Sequence, residues 1–274
     1  MINYSNPVGL NYFLAIRYDS RMKFDKILSQ LIELTAKVGD KILSHYKNDF
    51  KIELKADKTP LTIADKEAHQ SIVNVLSQLT PNTPILSEES DVVAFEQRSK
   101  WQEYWLIDPL DGTRDFIEQT GEFCICIAYI KNHQVIFGLV YAPLERTHYY
   151  GFDSKAYQLH NNLKTRLKVC VETQPLRVVT GHYSAHSTHL KTHLQQLGEH
   201  QLSYLGSALK FCKIAQGEYD YYPKFSPCSE WDTAAGACIL QNAGGSVVDI
   251  NGKSLRYNTK NDLLSPVFFA SGKP

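Results

Sequence analysis

The stretch Trp105-Leu106-Ile107-Asp108-Pro109-Leu110-Asp111-Gly112-Thr113 constrains this chain more than any other. In it an apolar run passes directly into a hexapeptide with two carboxylates, a hydroxyl, a proline and a glycine. Proline has no N–H and a fixed φ, so the strand is expected to end there in a rigid turn. The side chains of Asp108 and Asp111 then converge. With the carbonyl of Leu110 they offer a hard divalent cation three oxygen ligands from one turn. Gly112 lets the backbone pass close to a ligand, and Thr113 opens a short helical pattern whose free N–H groups attract an anion. Taken alone, an Asp-Pro and Asp-Gly run also fits an ordinary surface turn.

Composition narrows the class. With 274 residues and 43% hydrophobic content the chain can bury a large core, as one large domain or two smaller ones. Lys+Arg and Asp+Glu both number 29, so no global field points to nucleic acid or a membrane, and any anion specificity must be local. Composition names no partner, and the oligomeric state stays open. No apolar run reaches the roughly eighteen residues of a membrane helix. The six cysteines, at 124, 126, 170, 212, 228 and 238, lack zinc-type spacing and disulfide density. A reducing cytoplasm is the expected location, with peripheral attachment to the cytoplasmic face of the inner membrane left open. Cys124 and Cys126 alternate with isoleucines and read as small core residues on one face of a strand. At the N-terminus no Lys or Arg precedes the apolar residues 8–16, so no secretory signal is expected. Met22 is an alternative start, with residues 1–21 as a poorly ordered extension.

Apolar positions recur at helical spacing over residues 23–46, and a second helix is expected over 62–79 after a polar turn at 55–60. Short strands follow at 84–87, 122–129, 135–141 and 148–151, so the first half reads as helices on a mostly antiparallel sheet. After a polar segment around 161–172, strands and helices alternate: 176–180, 184–197, 202–205, 207–216, 220–225, 230–243 and 246–250. That alternation marks an α/β layer. The boundary between a first domain over 22–168 and a second over 169–274 is expected near 165–175.

Three other segments end in carboxylates: Ser87-Glu88-Glu89 after a strand, Asp65 in Thr62-Ile63-Ala64-Asp65, and Asp232 in Trp231-Asp232-Thr233-Ala234-Ala235-Gly236. Singly, these read as a solvated pair, a helix cap and a first-turn acid. Together with Ala56-Asp57-Lys58-Thr59-Pro60 and the hexapeptide, their order and spacing resemble the inositol monophosphatase superfamily of Mg²⁺-dependent, lithium-sensitive phosphatases, over roughly residues 22–274. The segments Leu205-Gly206-Ser207-Ala208-Leu209-Lys210-Phe211-Cys212 and Tyr222-Pro223-Lys224-Phe225 look like the CysQ-type 3'(2'),5'-bisphosphate nucleotidases within it.

The resemblance implies a layered αβαβα sandwich of the sugar-phosphatase type, with an antiparallel-sheet first domain and an α/β second domain. It implies that Glu88, Asp108, the Leu110 carbonyl, Asp111 and Asp232 hold two or three Mg²⁺ ions, and that Thr113 paired with Asp65, or Glu88, orients or deprotonates the attacking water. The amides of Gly112 and Thr113 would hold the phosphate, and Glu88, Leu110, Asp111 and Asp232 would touch the substrate. Ser207 and Lys210, three apart at a helix start, would face the nucleotide, with Lys210 on its second phosphate. The implied activity is hydrolysis of the 3'-phosphate of a small-molecule partner, adenosine 3',5'-bisphosphate, in sulfur assimilation, with activity on its sulfated form left open. Inositol or sugar monophosphate hydrolysis and non-catalytic nucleotide sensing are the alternatives. Glu89 reads at best as support for its neighbours.

Two features depart from the family pattern. Thr180-Gly181-His182-Tyr183 stands where Arg-Ser-His is common, and Cys228 replaces a threonine ahead of the Trp-Asp motif. His182, His186, His189 and His193 would share one face of a continuous helix, either as a metal site or as a solvated surface.

Overall fold

The computed structural model describes residues 7–46, 52–54, 60–91, 93–170 and 174–272. In chain order these form α1 (Pro7–Tyr46), a hairpin of β1 (Ile52–Leu54) and β2 (Pro60–Thr62), α2 (Ile63–Leu79), β3 (Ile85–Ser87), the single turn α3 (Phe95–Arg98), β4 (Glu103–Asp111) and the short α4 (Thr113–Ile117). Then come β5 (Cys124–Lys131), β6 (Gln134–Ala142), β7 (Thr147–Phe152), β8 (Lys155–His160) and β9 (Leu163–Arg166). The second half holds β10 (Leu176–Thr180), a 3₁₀ turn (His182–His186), α5 (Thr188–Gln196), β11 (His200–Tyr204), α6 (Leu209–Ala215), β12 (Tyr221–Lys224), α7 (Trp231–Asn242), β13 (Ser246–Asp249) and β14 (Phe268–Ser271).

Residues 85–166 supply a seven-stranded sheet in sequence order, β3 through β9, antiparallel except for β3 beside β4. Residues 176–271 supply a five-stranded sheet ordered β11-β10-β12-β14-β13. Both faces of the larger sheet are buried, which is why β4 and β5 are apolar at consecutive positions. Trp105, Ile107, Ile125, Ile127 and Tyr129 pack against Phe24, Leu31 and Val38 of α1 and Ala68 and Ile72 of α2. Leu106, Cys124, Cys126 and Ala128 face the other way, onto a core shared with Phe211 and Ile214 of α6 and Ala234, Ile239 and Leu240 of α7. Tyr222 and Phe268 reach that core from the smaller sheet. Val178 meets Leu190 and Leu194 of α5 on its outer face. The layers therefore run α-β-α-β-α, as the resemblance implies.

Four local expectations change. β4 does not end at Pro109: the strand continues to Asp111 through an irregularity between Asp108 and Asp111, and a proline survives there because a bulge interrupts the ladder. The first helix begins at Pro7 rather than near residue 23, as one continuous run through most of the extension expected at 1–21. A single helix over 184–197 is not formed. Ser187 adopts extended backbone and its hydroxyl accepts from the Leu190 N–H, so it caps α5 and separates it from the 3₁₀ turn. β8, β9 and β14 are additional strands. β9 lies at the sheet edge with all four residues exposed, so its sequence carries no apolar alternation. Within the expected polar turn at 55–60, Asp57 and Thr59 lie outside the described residues.

Candidate active site

Segments remote in sequence meet at one cavity of about 450 Å³, lined by Glu88, Asp108, Leu110, Asp111, Gly112, Thr113, Ser207, Lys210 and Asp232 among others. Every site residue expected from sequence is on this wall except Asp65, which sits directly behind it.

The hexapeptide builds most of the floor. Asp108 Oδ1 accepts from the Leu110 N–H at 3.0 Å, and the Leu110 carbonyl accepts from Thr113 Oγ1 at 3.1 Å. The bulge thus folds the two carboxylates and the carbonyl into a single turn. Gly112 has φ +90°, a conformation that favours glycine, and an added Cβ would lie 2.9 Å from the Glu122 carbonyl. Asp232 arrives on the first turn of α7, its Oδ2 accepting from the Ser229 N–H at 2.8 Å. Carboxylate oxygens of Asp108, Asp111 and Asp232 come within 4.8 Å of one another. Glu88 follows β3, whose pairing with β4 sets Ser87 opposite Ile107 and carries Glu88 to the same end of the sheet.

Crowding sets the electrostatics. Burial, then the nearby charges of Glu88, Asp111 and Asp232, push the Asp108 carboxyl well above the usual range. Asp232 is raised by burial and then by Asp111 and Glu88. Asp111 is pushed up to about 6 by burial, held down by Lys210 and by the Ala208 N–H that its Oδ2 accepts at 2.5 Å. Three hard oxygen donors that cannot all ionise comfortably together are the environment a divalent cation relieves.

Behind the floor, Asp65 Oδ1 accepts from Thr113 Oγ1 at 3.2 Å, while its Oδ2 accepts from the Thr62 N–H at 2.7 Å and from the Thr62 hydroxyl at 2.5 Å. The acid at the start of α2 is both a helix cap and a partner of the hexapeptide. Glu89 does not line the cavity.

Cations line the same cavity. Lys210 is 5% exposed, and its Nζ donates to the carbonyls of Ser207 at 2.6 Å and Leu205 at 3.1 Å. Burial lowers its pKa to about 8, against the pull of Asp111. Ser207 is not on the helix: it has φ +50°, and α6 starts at Leu209. The two residues line the same cavity through the carbonyl contact rather than through helical spacing. Lys224 and Arg114 also line it, and neither was expected. Alternation along β12, which sets Tyr222 and Lys224 on one face, was the available clue. Glu122 Oε2 pins the loop between β11 and α6, accepting from the Gly206 N–H at 2.5 Å and meeting His182 Nε2 at 2.6 Å.

The four histidines do not form one face. His182 pairs with Glu122 and His193 Nε2 lies 2.8 Å from the Tyr221 hydroxyl, because the break at Ser187 separates them. Cys124 and Cys126 are buried, as expected, but their sulfurs lie against Asp111.

Buried acids, a threonine–aspartate pair and two lysines at the junction of two sheets define a phosphoester site in a layered sandwich, and residues 23–272 match the model of the inositol monophosphatase family. The chain belongs to that family, which is metal-dependent. It is 42% identical over 244 residues to the 3'(2'),5'-bisphosphate nucleotidase CysQ of Salmonella typhimurium, covering 88% of this chain and 98% of that one. It is 41% identical over 247 residues to CysQ of Escherichia coli K12, covering 89% and 99%. Among solved structures, CysQ of Bacteroides thetaiotaomicron superposes with a TM-score of 0.78 at 34% identity, covering 89% of this chain and 96% of that one. An inositol monophosphatase of Thermotoga maritima gives 0.74 at 28% identity, covering 90% and 92%. No described helix is long and apolar enough to cross a membrane.

Proposed function

We propose that this chain is a Mg²⁺-dependent 3'(2'),5'-bisphosphate nucleotidase that hydrolyses the 3'-phosphate of adenosine 3',5'-bisphosphate to AMP and phosphate in the cytoplasm. The observation that carries the substrate class is that Lys210, Lys224 and Arg114 line the same cavity as the acidic cluster. A monophosphate held by metal ions needs few further cations; a second phosphate needs additional compensating charge. The identity with enzymes named 3'(2'),5'-bisphosphate nucleotidase supports the same reading.

In this reading Glu88, Asp108, the Leu110 carbonyl, Asp111 and Asp232 hold two or three Mg²⁺ ions. When bound, such ions neutralise charge on the phosphate oxygens and favour ionisation of water. Thr113 accepts a hydrogen bond from the attacking water and aims it at phosphorus; as the water's proton passes to Thr113 Oγ1, the hydroxyl's own proton passes to the Asp65 carboxylate, with Glu88 as the alternative base. The Gly112 and Thr113 amides hold the reacting phosphate. Ser207, Lys210 and Lys224 hold the remainder of the nucleotide, so residues 169–274 form the substrate half, contributing Asp232 to the metal site, against a metal-binding half over 22–168.

Phosphate release measured side by side from adenosine 3',5'-bisphosphate and inositol monophosphate, with Mg²⁺ and with or without Li⁺, tests this. Faster release from the bisphosphate, inhibited by Li⁺, is expected. Faster release from inositol monophosphate makes the protein an inositol phosphatase, and tight bisphosphate binding without release makes it a sensor.

A further inference from the structure

Cys124 and Cys126 alternate with Ile125 along β5, which turns both thiols to one face of the larger sheet. Their sulfurs are 3.8 Å apart, and both approach a single oxygen, Asp111 Oδ2, at 3.7 Å from Cys124 and 3.9 Å from Cys126. The Ala208 N–H holds that oxygen in place. A tetrahedral ion with bonds of about 2.3 Å to sulfur and about 2.0 Å to oxygen has sulfur–sulfur edges of ~3.8 Å and sulfur–oxygen edges of ~3.5 Å. The three donors already outline one face of that polyhedron to within a few tenths of an ångström.

We infer that Cys124, Cys126 and Asp111 form a binding site for a soft divalent cation of the zinc or cadmium class. Its donor set differs from the all-oxygen set of Asp108, Asp111 and Asp232, so softness of the ion decides which set it enters: Mg²⁺ has little affinity for sulfur, whereas thiolates select zinc and cadmium. Asp111 lines the cavity, and the two thiols are buried against its carboxylate. On binding, two sulfur–metal bonds form and the two thiol protons leave to solvent. Asp111 belongs to both sets, and a soft ion that claims its Oδ2 draws the carboxylate away from the oxygen cluster. The proposal needs only the positions of these three side chains and is independent of which phosphoester the enzyme cleaves.

The test is titration of the reduced full-length protein, in excess Mg²⁺, with Cd²⁺, reading sulfur-to-cadmium charge-transfer absorption in the ultraviolet. One ion per chain with the intensity of two thiolates is expected. Cys124→Ser and Cys126→Ser should each weaken Cd²⁺ binding on the order of 100-fold, since loss of even an outer-shell partner costs 10- to 100-fold. Cys228→Ser, which alters the thiol lining the cavity, should leave it unchanged. Absence of the band in the unmodified protein overturns the site, a result that needs no variant to fold. So does a band that survives both Cys124→Ser and Cys126→Ser, or one that disappears with Cys228→Ser. The readout is optical, so failure here and failure of the phosphatase reading are separable.

Discussion

Thr113 Oγ1 lies 3.2 Å from Asp65 Oδ1 across 48 residues of sequence, and this contact ties the start of α2 to the floor of the active site. Asp65 is 2% exposed, with its other oxygen occupied by Thr62, so the geometry of the pair is fixed from behind. Replacing Thr113 by valine keeps the shape and removes the hydroxyl. T113V is expected to lower kcat by about 10²- to 10⁴-fold with little change in KM. D65N should lose activity similarly and also about 1 kcal/mol of stability through the weakened cap, measurable by urea unfolding. A T113V enzyme with normal kcat would remove Thr113 from the chemistry.

Crowding of Asp108, Asp111 and Asp232 is expected to make stability rise with divalent cation concentration. Mg²⁺ at a hundred times its Kd should stabilise the protein by about 2.7 kcal/mol, and a chelator should reverse this, as read by thermal melting. D111N should abolish turnover and most of the Mg²⁺-induced shift, while the metal-free variant melts no lower than the metal-free parent because one crowded carboxylate is gone. Hydrolysis undiminished in D111N rejects the metal assignment.

Gly112 has no substitute with a side chain. Its φ of +90° disfavours a Cβ, and that atom would stand 2.9 Å from the Glu122 carbonyl and 3.2 Å from Phe123 Cα, both backbone. G112A is expected to cost on the order of 2 kcal/mol and to reduce kcat by displacing Thr113. Urea unfolding alongside steady-state kinetics checks both; a fully active, fully stable variant would show that the turn is not tightly held.

His148 gives the protein an acid-sensitive joint far from the cavity. It is 6% exposed, stacks on Tyr141 with ring centroids 4.1 Å apart, and directs Nε2 at the Ile32 carbonyl and the Thr35 hydroxyl of α1. Burial lowers its pKa to about 4 from an ordinary 6.5. The unfolded chain therefore binds more protons between pH 6.5 and 4: this contribution is complete above that window and is lost as the pH falls through it, reaching on the order of 3 kcal/mol. Between pH 7 and pH 5, H148Q should lose about 2 kcal/mol less unfolding free energy than the parent. Parallel pH dependence in the two proteins would show that the imidazole is solvated.

Much of this was written locally. Runs of consecutive apolar residues marked β4 and β5 as strands buried on both faces, helical spacing set the face of α2, and the hexapeptide placed Asp108, Leu110, Asp111 and Thr113 together, because contacts between near neighbours follow from backbone geometry alone. β9 escaped because an exposed edge strand needs no apolar face. The pattern over 184–197 reads as one helix because Ser187 fits a helical position, whereas its side chain caps α5.

What the chain could not state by itself was adjacency across the fold. That Asp232 meets Asp111, which the family resemblance implies but no local pattern shows, that Lys224 joins Lys210, that Glu122 pins Gly206, and that two core cysteines share an oxygen with an active-site acid are consequences of how α7, β12 and the loop before α6 pack onto the larger sheet. Burial and register, summed over both layers, bring these groups within bonding distance. Neither quantity belongs to any short segment, so residue type and order fixed which chemical groups were present and only tertiary packing decided which of them act together.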